Sequence, residues 1–198
     1  MKTVDNADFI RDFTAKGVAF TRVGNAPDRP TFEHPERIEV ELSGELLERT
    51  KQFGWTLSPL LRGKRFGLWR HRGSWEWPLL EGETGFRVLQ RGIRRLISEL
   101  GFPAGGGSIW FDPDEFEMAF VVLHVCYTIA RGTADDLFIL PEAGDFVIWL
   151  DHDGMILVEC RDMAVRSTVA AVLSPGSRTS APGEAGPGLG ESGPATGE

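Results

Sequence analysis

Apolar and polar positions change period several times along the chain, and each change marks an element. Residues 37–42 alternate strictly, with Ile38, Val40 and Leu42 on one side and Arg37, Glu39 and Glu41 on the other. That period of two, with one wet face, predicts a strand of an antiparallel sheet. Residues 5–16 read instead as a short helix, with Asp5 or Asn6 to cap it and Gly17 to close it in a left-handed conformation. Residues 18–23 read as a strand and 24–35, dense in Pro, Asp and Asn, as a loop. Ser43 is placed to cap a helix over 44–53 with Leu46 and Leu47 on its apolar side. Residues 62–80 suggest a hairpin with arms at 66–71 and 74–79 and a turn at Arg72-Gly73. Pro78 would put the second arm at an edge.

The strongest helical pattern spans residues 85–100. Phe86, Leu89, Ile93, Leu96, Ile97 and Leu100 fall within an arc of about 100°, and Arg87, Arg91, Arg94 and Arg95 within another on the far side. Residues 108–111 read as a short strand. Asp112-Pro113-Asp114-Glu115 then carries a helix start: a capping Asp, Pro in the first turn and an acid three residues on. The run FEMAFVVLHVCYTIA that follows is apolar almost all round, which predicts a buried central helix over 113–130 ending at Gly132. Three short strands at 137–140, 145–150 and 155–160 follow, with turns at Ala143-Gly144 and Asp153-Gly154. A last helix covers 162–173, with Val165, Val169 and Val172 inward. Helices and hairpins, without alternating strand–helix units, indicate an α+β domain with an antiparallel sheet and helices packed mainly on one face.

Composition sets the limits of that domain. Of 198 residues, 41% are hydrophobic and 25% charged, an ordinary balance for a globular protein. Much of the glycine excess sits in residues 174–198, where 7 of 25 residues are Gly and 4 are Pro, and Leu189 alone is large and apolar. Such a segment cannot bury enough surface to offset the ordering of its backbone, so it reads as a disordered tail after a single domain at 1–173. No apolar run is long enough for a membrane span, and acids occupy the place of a signal peptide's apolar core. Cys126 and Cys160 are too few for a disulfide framework or a thiolate zinc site. The expected compartment is the cytoplasm.

The net charge of −8 divides unevenly: −4 over residues 1–48, +8 over 49–95, −10 over 96–173 and −2 in the tail. The blocks either neutralise each other in the fold or leave an exposed basic face for an acidic partner. The residues of that face would be Arg70, Arg72, Arg87, Arg91, Arg94 and Arg95. Interleaved Trp69, Trp75 and Trp77 also raise nucleic-acid binding, against which stands a pI of about 5.1.

Candidate chemistry is sparse. Asp151, His152 and Asp153 could grip a divalent cation or do acid–base work, although neighbours on a strand point to opposite faces and Asp-Gly also suits a plain turn. His124 shares a helical stripe with Glu117 and Thr128, as a satisfied core histidine or as a base. The acids around Asp112 lack the spacing of a calcium loop, and Gly105-Gly106-Gly107 precedes a strand where a phosphate loop would follow one. No cofactor is expected. The leading expectation is a non-enzymatic protein-interaction or inhibitory module using the basic face, with a metal-dependent or acid–base enzyme and a nucleic-acid binder as alternatives.

Overall fold

A computed structural model of the chain describes residues 1–23, 26–70, 107–133 and 136–174, with single positions between 91 and 101. The sheet is antiparallel throughout, and its seven strands run in the order β1 (Lys2–Val4), β6 (Ser108–Phe111), β5 (Phe66–Arg70), β7 (Leu137–Pro141), β8 (Phe146–Leu150), β9 (Met155–Cys160), β4 (Glu36–Glu41). A separate two-stranded ribbon joins β2 (Ala19–Val23) to β3 (Ala26–Thr31). Helices with bounds among the described residues are α1 (Asn6–Ala15), α2 (Leu46–Leu61), α3 (Phe116–Thr133) and α4 (Met163–Leu173). This is the α+β architecture that the changes of period indicate.

Side-chain alternation gives the sheet two apolar faces. Phe66, Leu68, Ile109, Phe111, Ile139 and Ile148 point to one side, where α2, α3 and α4 supply Leu57, Leu123 and Val169 among others. Trp69, Trp110, Phe138, Leu140 and Val147 point to the other, where α1 lays down Phe9 and Phe13. Phe9 stacks on Trp69 with centroids 5.4 Å apart, and Phe13 on Trp110 at 5.6 Å. The β2–β3 ribbon completes this second cover: Phe20 meets Trp69 edge-on, and the Arg29 guanidinium lies 3.7 Å from the Trp149 ring centroid. Of these helices three therefore share one face, and α1 seals the back with the ribbon.

Local signals explain the ends. Asp5 accepts from the Ala7 amide at 2.8 Å, and Gly17 leaves α1 at φ +87°. Asp112 and Glu115 form a reciprocal capping box around a single 3-10 turn (Pro113–Glu115) that leads into α3. The Glu115 carboxylate also receives the amino terminus of Met1.

Four expectations need correction. Residues 24–35 are not all loop: β3 spans Ala26–Thr31 despite Pro27 and Pro30. Each strand of a two-stranded ribbon is an edge, and an edge tolerates residues that cannot donate. Helix α2 runs Leu46–Leu61 rather than 44–53, through Gly54 and Pro59, and is not capped by the Ser43 side chain. A Cβ at Gly54 would lie 3.3 Å from the Phe120 ring, so the glycine permits the α2–α3 approach rather than ending the helix. Leu47 is exposed rather than inward. Third, β5 is no hairpin arm along Phe66–Leu68, because β6 and β7 occupy its two edges there; residues 71–80 lie outside the described residues. Fourth, α3 is not buried all round: Val121 is 59% exposed and Met118 is exposed beside it. The pattern for residues 85–100 falls largely outside the described residues, within which Arg91, Arg95, Ser98 and Glu99 are helical and exposed. The proposed tail lies outside them beyond Ser174.

Gly67 tests the packing of the second face. A Cβ there would overlap the Phe9 ring, which is held among Phe13, Trp69 and Trp110 and cannot swing aside. Gly67→Ala is expected to lower stability by roughly 1–3 kcal/mol, as for other overpacked cores, in urea unfolding. Pairing it with Phe9→Leu should recover part of the loss; an unchanged midpoint in the single variant would show that the ring is free to slide.

Candidate functional site

Antiparallel pairing of β7 with β8 builds the one cluster of metal-ligating side chains found among the described residues: Asp136, Asp151 and His152. The last paired residues are Leu137 and Leu150. One step further out, Asp136 and Asp151 face each other. The chain then turns: the Asp151 amide donates to the Met155 carbonyl at 2.9 Å, and the Gly154 amide to the Asp151 carbonyl at 3.1 Å. Gly154 takes φ +105°, which disfavours any residue with a Cβ. The Asp151 side chain braces the turn by accepting from the Asp153 amide at 2.7 Å.

His152 enters from the turn and its Nδ1 lies 2.8 Å from an Asp136 carboxylate oxygen. The His152 backbone amide donates to the same oxygen at 3.2 Å, which fixes ring and backbone to one acid. Asp151 lies 3.8 Å from Nδ1. The three ligand atoms are all within 4.8 Å of one another. Both acid side chains are about nine-tenths buried, Asp136 at 11% and Asp151 at 12% exposure, while the imidazole is partly open to solvent. The hydrogen bond to Asp136 raises the His152 pKa above its usual value, with the Asp136, Asp151 and Asp153 charges adding to it and burial opposing.

Of the three residues singled out in the turn, the cluster contains two. The Asp153 side chain is 86% exposed, and its carboxylate lies 3.8 Å from Nε2, the ring nitrogen opposite the one that meets Asp136 and Asp151, so it stands outside the cluster. Asp136 takes its place. The signal for it was present: folding the two strands about Ala143-Gly144 sets Asp136 opposite Asp151. The local run of three residues does not contain that cross-strand partner.

The other candidates lie elsewhere. The His124 ring packs edge-on against Phe53 of α2 with centroids 5.4 Å apart, and burial pushes its pKa down. It joins no metal-ligating group among the described residues. Burial lifts the Cys126 thiol to about 12 and the Cys160 thiol to about 11, so neither is a thiolate at neutral pH. Among the basic residues, Arg70 is 1% exposed on the three-helix side of β5, so its charge does not join an exposed face. Arg91 and Arg95 are exposed, and Arg95 pairs with Glu99 at 2.7 Å. Arg72, Arg87 and Arg94 lie outside the described residues. Arg65 reaches from the basic block to Asp112 at 2.8 Å and Glu142 at 2.7 Å, so there the two blocks neutralise each other. Asp112, Asp114 and Glu115 serve the start of α3, as their capping pattern indicates.

Comparison with protein-family models, with curated proteins and with solved structures finds no match. None of the helices described is long and apolar enough to cross a membrane.

The pH dependence of the metal-free protein follows from the raised His152 pKa. An unfolded histidine titrates near 6.5, so the stabilisation from the imidazolium–Asp136 bond is complete below that pH. It fades as pH rises through the higher folded value. Asp136→Asn should therefore lower the urea midpoint more at pH 5.5 than at pH 9 in chelator-treated protein. An equal loss at both pH values would mean that the ring stays neutral in this contact.

Proposed function

We propose that this protein binds a divalent transition-metal cation through Asp136, Asp151 and His152, and that its activity runs through that centre. The observation that carries the reading is the convergence of two buried carboxylates and one imidazole from segments sixteen positions apart. Two buried carboxylates beside each other favour a positive charge placed between them, and a divalent cation supplies it. A cation about 2.0–2.2 Å from each ligand needs ligand atoms roughly 3–4 Å apart, near the 2.8 and 3.8 Å that separate Nδ1 from the two acids. One nitrogen with two carboxylate oxygens suits zinc, manganese, iron or cobalt better than a purely oxygen-seeking ion. Three protein ligands leave coordination positions for water, and a cation so held makes bound water a stronger acid, which is the chemistry of metal-assisted hydrolysis. The cation would replace the proton shared by His152 and Asp136, so binding should release protons and tighten as pH rises.

Calorimetric titration of zinc, manganese and cobalt into protein purified without a metal-affinity tag and stripped with chelator tests the reading. One equivalent is expected for at least one ion, weakened by at least about tenfold in Asp136→Asn and in Asp151→Asn, and little changed in Asp153→Asn. Binding well below one equivalent, or binding indifferent to Asp151→Asn, overturns it.

A second reading rests on a separate observation. Arg91 and Arg95, four residues apart on a helical stretch, share an exposed face. We propose that this face, with the neighbouring arginines, meets an acidic protein partner as a non-enzymatic interaction surface. Association should then weaken with salt and fall in Arg91→Glu. Salt-independent association, or preference for nucleic acid over any acidic protein, counts against it.

A further inference from the structure

At the opposite end of β8 from the Asp–His cluster, roughly 20 Å away by strand length, a half-open cavity of about 250 Å³ lies between α2, α4 and the start of the strand. We propose that it binds a small apolar zwitterion of amino-acid type. Phe146, Leu60, Val165, Val169 and Val172 form an apolar wall. Two charges of opposite sign interrupt it, Lys64 and Asp145. Neither belongs to the metal-ligating cluster.

The condition of these two charges points to the ligand. One carboxylate oxygen of Asp145, Oδ1, is buried and has no hydrogen-bond partner, although its backbone carbonyl accepts from the Arg161 amide at 3.0 Å. Asp145 as a whole is half-buried and lines the cavity, so the acid faces it with the rest of its side chain. The Lys64 ammonium lies 4.8 Å from the Phe146 ring centroid and makes no ion pair among the described residues. The two groups thus share one cavity without neutralising each other.

A ligand with an ammonium for Asp145, a carboxylate for Lys64 and an aliphatic side chain for the valine wall satisfies all three features. A fatty acid would bring a second anion towards Asp145. An alkylamine would place a cation in the cavity with Lys64 unanswered. Pockets for drug-sized ligands run to about 300–1,000 Å³; this smaller space fits a molecule of leucine size.

Titration of the full chain with L-leucine, L-valine, L-methionine and L-phenylalanine, alongside 4-methylpentanoate and isopentylamine, tests the proposal. At least one amino acid should bind, with both single-charge analogues weaker by about tenfold or more. Asp145→Asn should lose about tenfold in amino-acid affinity, and Lys64→Met should abolish the preference over isopentylamine. Val172→Phe, at the half-buried lip, should block binding without touching either charge, and serves if Asp145→Asn does not fold. No amino acid binding below about 10 mM, equal binding to native and Asp145→Asn protein, or 4-methylpentanoate binding as well as leucine overturns the proposal. Cation titrations are read separately, so failure here leaves the metal reading standing, and the reverse.

Discussion

Every residue of β5 and β7 is buried, so the centre of the sheet has no face that can meet water. An antiparallel sheet usually keeps one side wet. This one cannot, and both sides must be covered by elements from the same chain. Three helices close one side, and α1 with the β2–β3 ribbon closes the other. At roughly 25 cal/mol per Å² of apolar surface removed from water, a core of this kind supplies the main favourable term in folding. Polar chemistry is accordingly displaced to strand ends and turns, where the strands emerge from their covers.

One buried ionic group ties the second cover to the sheet. Glu159 of β9 is almost fully buried, and its carboxylate receives the Arg29 guanidinium at 2.6 Å, the Thr31 hydroxyl at 2.6 Å and the Arg37 guanidinium at 3.1 Å. Arg29 and Thr31 come from β3, so the ribbon is held by directional bonds as well as by aromatic contacts. Removing one member of such a group leaves a buried charge unanswered, which costs more than the pair contributes when intact. The charge blocks act in the same manner on a larger scale: Arg65 spans from the basic block to two acids of the acidic one, and Arg29 and Arg37 spend their charge on Glu159.

Elements whose signals are local were legible in the chain. The caps at Asp5 and Asp112, the alternation in β4 and the turns at Gly144 and Gly154 depend on neighbours within a few residues. Elements whose form depends on distant partners were not. Gly54 and Pro59 look like helix breakers, yet α2 continues because its packing against α4 and α3 outweighs their low propensity. The apolar run of α3 reads as buried all round, yet Val121 and Met118 face outward, since hydrophobicity alone does not say which side meets the core. At the candidate centre, His152 and Asp151 were legible as a pair, and Asp136 only through the register of β7 on β8.

By itself, then, the chain determined its α+β class, most of its strands and caps, and a turn rich in acid and imidazole. These follow from periodicity and from backbone chemistry acting over a few residues. Only the tertiary structure decided that Arg70 is buried, that Arg65 is already engaged, that Asp153 faces water and that Asp136 takes its place beside His152. The reason is physical: burial and charge pairing are properties of which strands lie side by side, and strand order here joins residues as far apart as β1 and β6 or β4 and β9.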